Sequence, residues 1–116
     1  PLSQVISVNR SPIAIASILH RISGIVLFLL IPVMLWLLQN SLASPESFET
    51  VFDNVFIRFL AWIFVAAIAY HFVMGVKHLF ADNGQNEELQ SARMASVVSL
   101  VIAAILIVAS FVWVMF

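Results

Sequence analysis

The chain has 116 residues, of which 63% are hydrophobic and only 9% charged, and its mean hydropathy is +1.10. A soluble domain of this size cannot hide that much apolar surface, so its solvent is lipid. The absence of cysteine excludes disulfides and thiolate metal sites within the chain, and a formal net charge of −1 offers no basic footprint for nucleic acid.

Residues 1–12 are polar and irregular, and Asn9-Arg10-Ser11 reads as a loop running into a helix start. A first helix is expected from Ser11 or Pro12 to about Leu38. Proline is tolerated in a first turn because its missing N–H would have no partner there. Pro32 lies inside this helix and predicts a modest bend. No secretory signal is expected, since no A-x-A-type cleavage site follows the first apolar run. Residues 39–53 form a loop with Asn40, Ser41, Ser44, Pro45 and Glu46 as turn formers, and 47–50 begin a short interfacial helical turn. A second helix covers about 55–80, closed by Asp82-Asn83-Gly84, where asparagine or glycine can adopt the left-handed conformation. Residues 85–93 are a second loop or the polar start of a third helix, whose span is about 92–116. The expected fold is an all-α membrane protein of three transmembrane helices, a single anchor domain over 1–116, with no competing strand pattern.

Basic residues set the expected orientation. Arg10 and Arg21 flank the entry to the first helix, and Lys77 and Arg93 flank the second loop. The first loop has only Arg58, against Glu46, Glu49 and Asp53. The N-terminus and the second loop are therefore expected inside.

Residues 59–76 carry no formal charge. At about 1.5 Å per residue they make roughly 27 Å of helix, close to the hydrocarbon thickness of a bilayer. His71 lies within this run, where an ionisable side chain is costly and marks a site by default. It is either an imidazole hydrogen-bonded to a neighbouring helix or a ligand or proton carrier. His78 follows on the same face beyond the apolar run, and Gly75 between them leaves room for something bulky or a close helix. On the first helix, Ser17, Arg21 and Gly24 share a face with His20 beside them. Arg21 either snorkels to headgroups or joins Ser17 and His20 in holding an anionic or carbonyl-bearing ligand. Lys77, His78 and Asp82 form a second polar cluster at the same side. These depths suggest a haem standing edge-on, with its iron at His71 and its propionates toward Arg21, His20 and His78. His20 is expected at the interface and His71 deep, so the two fit poorly as a pair across one iron. A second axial ligand would come from another polypeptide.

The segments S-I-L-H-R-I-S-G at 17–24 and H-F-V-M-G-V-K-H-L-F-A-D-N-G at 71–84 resemble the two signatures of the cytochrome b membrane-anchor subunit of succinate dehydrogenase, the larger of its two anchors. The likeness extends to Pro-Leu at the start, Ala-Ile-Ala before Ser17, Leu-Trp-Leu-Leu at 35–38, Ser-Pro-Glu at 44–46 and Ala-Tyr-His at 69–71. The sequence departs where the family usually has arginine at Lys77 and an aromatic residue or methionine at Ala81. Lysine lacks the planar fork with which arginine grips a carboxylate. The resemblance implies that His71 is an axial ligand of haem b and that Ser17 and Arg21 line a ubiquinone site. It implies that His20 lies near a haem propionate, at the level where the depths already place Arg21 and His78. It further implies a smaller anchor subunit supplying the other axial ligand, an iron–sulfur subunit and a flavoprotein that pass electrons from succinate to ubiquinone. No catalysis by this chain alone is expected. The expected location is a bacterial inner (cytoplasmic) membrane rather than a mitochondrial one. Two alternatives remain open at this point: a haem-free quinone anchor of a fumarate-reductase-like enzyme, and a small proton channel or transporter using His71.

Overall fold

The computed structural model describes residues 11–84 and 88–116. The irregular start over 1–10, with Arg10, and the centre of the second loop at 85–87 lie outside the described residues.

Helix α1 runs Pro12–Ser41. Ser11 caps it, its Oγ accepting from the Ala14 N–H at 3.2 Å, and Pro12 occupies the first helical position. The helix passes through Pro32 without interruption and continues beyond Leu38. The residues that read as turn formers fold back onto it instead. The Asn40 amide donates to the Trp36 carbonyl at 2.8 Å, and Ser41 Oγ donates to the Leu38 carbonyl at 2.9 Å.

The expected turn near 47–50 is part of a longer helix, α2, Pro45–Asp53. Ser44 caps it with a 3.0 Å bond from the Ser47 N–H, and Phe48 and Phe52, one turn apart, bring their rings to 4.9 Å. Asn54 then serves two helices. It ends α2 in an extended conformation, and its Oδ1 accepts from the Phe56 N–H at 2.9 Å to start α3, Val55–Asp82. Asn83 and Gly84 close α3: Gly84 takes φ 85°, and its N–H donates to the Ala81 carbonyl at 3.0 Å. Helix α4 is Leu89–Met115, so Gln90, Ser91 and Arg93 belong to its first turns rather than to a loop.

The helices α1, α3 and α4 are long and apolar enough to cross a membrane, and the described residues contain no strand. Helix α4 packs chiefly on α3, and α1 packs against both. The core is small: Ala16, Tyr70, Met74 and Ala103 are buried, with Val73, Leu100 and Ile107 against them. Small residues matter in lipid, where association depends on close van der Waals packing and interhelical hydrogen bonds. Tyr70 and Trp62 supply two such bonds. The Tyr70 hydroxyl donates to the Ala16 carbonyl at 3.0 Å, and Trp62 Nε1–H donates to the Ile107 carbonyl at 3.1 Å.

Candidate functional site

The site is built where α1 and α3 cross. On α1, His20 is followed three residues later by Ser23, and then by Gly24. On α3, His71, Gly75 and His78 occur one turn apart and share a face. Packing brings the two sets into contact. The His20 and His71 rings stack with centroids 4.0 Å apart and planes 13° from parallel. His78 meets the other ring edge-on, its centroid 5.1 Å from that of His20. All three histidines of the chain thus form one group, with His20 between the other two.

This corrects the expectation that His20 sits at the interface well away from a deep His71. Helix α1 begins at Pro12, so His20 is already more than two turns along it, roughly 12 Å from its start. The antiparallel α3 reaches the same level at His71, and the two side chains close the remaining distance. The stacked rings present their faces to each other rather than their nitrogen lone pairs. What keeps the pair from facing a common atom is therefore ring orientation and not depth.

Ser23 joins the group from α1. It is only 7% exposed. Its Oγ donates to the His20 carbonyl at 2.7 Å and lies 2.9 Å from His71 Nδ1. Gly24 completes the seat, because a Cβ there would stand 3.2 Å from His71 Cε1. Beside Gly75, one turn along α3 from His71, His20 Nε2 is buried and has no hydrogen-bond partner. Ser17 is half-buried and Arg21 exposed, one turn apart on α1, while Lys77 and His78 are half-buried on α3.

The chemistry available is therefore an imidazole held on one nitrogen, a second imidazole with an unsatisfied buried nitrogen, and basic groups in the adjoining turns. Such a set can hold a metal-bearing group with anionic substituents. Among the described residues no cluster of His and carboxylate side chains could by itself complete a metal site. Ser23 was within the motif read from the sequence, yet nothing in a serine three residues after a histidine says that it faces another helix. Tyr70 gave no signal beyond its place next to His71.

A family model described as the succinate dehydrogenase/fumarate reductase transmembrane subunit matches residues 1–110. The chain belongs to that family. It is similar to the succinate dehydrogenase cytochrome b556 subunit of Coxiella burnetii (strain RSA 493 / Nine Mile phase I), with 39% identity over 107 residues that cover 89% of this chain and 86% of the relative. The subunit of the same description from Paracoccus denitrificans is 34% identical over 122 aligned positions, covering 97% of this chain and 93% of the relative. With its three membrane-length helices, this member of the family is a multi-pass membrane anchor of succinate dehydrogenase. A stand-alone proton channel has no place in that assignment.

Proposed function

We propose that this anchor binds haem b through His71 and helps to form the site at which ubiquinone is reduced. The observation that carries the reading is the histidine group. His71 is fixed between Ser23, Gly24 and the His20 ring, while His20 Nε2 is buried without a partner. As an N–H donor, that nitrogen would cost about 1–3 kcal/mol left unpaired, a cost that a carboxylate reaching it would remove. The residues therefore fit a haem. His71 would supply one axial ligand and a smaller partner anchor the other, with His20, Arg21 and His78 near the propionates. When bound, haem b supplies a one-electron iron centre.

Electrons reach the membrane from succinate through a flavoprotein and an iron–sulfur subunit on the inner face. Ubiquinone takes up two electrons and two protons to become the quinol, and its carbonyl oxygens gain negative charge on the way. Ser17 donates a hydrogen bond to one such oxygen, and Arg21, permanently protonated, stabilises the reduced intermediate directly or through water. One turn of α1 separates them, so both reach one ligand. The location that fits is a bacterial inner membrane, with lipid around the bundle.

Two variants of the purified complex test the reading. In His71→Ala, haem b should be lost or its spectrum and potential changed, as read by pyridine haemochrome and redox titration. An unchanged haem would remove His71 as a ligand. A wild-type complex without haem would instead favour the haem-free quinone anchor. Ser17→Ala removes a donor without removing a charge. It should keep haem and succinate oxidation by a soluble dye while losing much of the ubiquinone reductase rate. Equal loss of dye reduction, or no loss of quinone reduction, would make Ser17 a packing residue only.

A further inference from the structure

We infer that Ser23 is the positioning residue of the iron ligand: its hydroxyl accepts the Nδ1 proton of His71 and leaves Nε2 as the ligating nitrogen. The inference rests on the reading of His71 as an axial ligand.

A serine hydroxyl has one proton to give and two lone pairs to receive. Ser23 Oγ lies 2.7 Å from the His20 carbonyl oxygen, which can only accept, so the proton is spent there. His71 Nδ1, 2.9 Å from the same Oγ, must then be the donor, since a bare Nδ1 would face oxygen lone pairs. A neutral imidazole carries a single N–H, so Nε2 is bare. A bare nitrogen is what iron requires, and which nitrogen that is follows from the bond the other one makes.

Serines in apolar helices commonly bond only to their own backbone. Ser41 does so to the Leu38 carbonyl at 2.9 Å and Ser110 to the Ile107 carbonyl at 2.7 Å. Ser23 makes the same backbone bond, but its remaining face is turned to an imidazole on another helix. The backbone bond fixes the hydroxyl, and the hydroxyl fixes the ring. Ser23 is 7% exposed, so water does not compete for either bond. Gly24 lets the ring lie against α1, because a Cβ there would come to 3.2 Å from Cε1. The chain from Nδ1–H through Oγ–H to the carbonyl is cooperative, which makes Oγ a better acceptor. Such a bond makes the ligand more electron-donating and so favours the oxidised metal.

The test uses the assembled complex purified from membranes, with the haem midpoint potential and the haem absorption spectrum as readouts. In Ser23→Ala the potential should move positive, and haem should be lost more readily during purification. Ser23→Thr keeps the hydroxyl and should restore both to wild type. An Ala variant with unchanged potential and spectrum overturns the inference, as does a Thr variant that behaves like Ala. If the Ala variant does not assemble, the Thr variant decides by the same criterion. His71→Ala run in parallel separates the two levels. A haem altered by His71→Ala but untouched by Ser23→Ala sinks the role of Ser23 alone, whereas a haem untouched by His71→Ala sinks the ligand assignment itself.

Discussion

At Gly24 the absence of one carbon decides where an imidazole can lie. An added Cβ would stand 3.2 Å from His71 Cε1, closer than ordinary van der Waals contact, so the ring would have to retreat by a few tenths of an ångström. It has little freedom to do so, with Ser23 bonded to Nδ1 and the His20 ring stacked 4.0 Å away. Alanine in a helix interior is favoured over glycine by about 1 kcal/mol, so Gly24→Ala does not threaten α1 itself. The expected result is a helical, membrane-inserted protein whose haem spectrum is shifted and whose haem content is reduced. Circular dichroism and haem quantitation on the same preparation check this. Gly75 offers the comparison within the chain: a Cβ there meets His20 Nε2 at 3.8 Å, an ordinary contact that this chain accommodates. A Gly24→Ala complex with wild-type haem content and spectrum would show that the contact between the helices does not restrain His71.

Among the elements, those marked by strong local chemistry were legible in the sequence. Ser11-Pro12 starts α1 because the serine caps and the proline fills a position needing no N–H, whereas the same pair at Ser44-Pro45, read as turn formers, starts α2 in the same way. Asn83-Gly84 ends α3 because glycine accepts φ 85°. Helix α2 was legible only as a turn, since its nine residues carry just three large apolar side chains, Phe48, Val51 and Phe52, too short a pattern to mark a full helix. The end of α1 was displaced because Asn40 and Ser41 satisfy helix carbonyls as readily as they form turns. The meeting of His20 with His71 was not legible at all. It depends on where α1 and α3 start relative to each other, which no periodicity records. Helix α4 tests the converse, since beyond Ser96 its side chains are apolar except for Ser99 and Ser110, a composition suited to packing and lipid contact. Ser110 Oγ bonds to its own helix at the Ile107 carbonyl, and Ser99 is only half-buried. Replacing Ser99 and Ser110 together with alanine should leave succinate–quinone activity near wild type. A fully assembled complex that has lost quinone reduction would assign chemistry to α4 after all.

For the whole molecule, the question is which end faces the electron source. The long axis measures 54 Å, and α1 and α3, at roughly 45 and 42 Å, exceed a hydrocarbon core of about 30 Å, so both ends project into the interfaces. Only 11–17% of the residues in the apolar windows of the three long helices are buried within the chain, so lipid and partner helices must cover the rest. Four basic residues, Arg10, Arg21, Lys77 and Arg93, mark one end in sequence, against Arg58 at the other. Arg58 is moreover engaged inside the fold: its Nη1 donates to the Met115 carbonyl at 3.1 Å, tying the start of α3 to the end of α4. Among the described residues the far end thus has Arg58 alone, against Arg21, Lys77 and Arg93 at the other, and that asymmetry is what the positive-inside rule reads. The end bearing Arg21 and Lys77 should therefore face the cytoplasm, and it is the end to which the proposed quinone residues belong. The chain contains no cysteine, so single introduced cysteines report cleanly. Glu49→Cys, on exposed α2, should react with a membrane-impermeant maleimide in intact spheroplasts. Gln90→Cys, exposed in the first turn of α4, should react only after permeabilisation. Neither change alters the basic residues that set orientation, and acidic residues contribute little to it. The reverse labelling pattern would turn the molecule over, placing Ser17 and Arg21 on the opposite side from a cytoplasmic iron–sulfur subunit, and the proposed route from that subunit to quinone would fail with it.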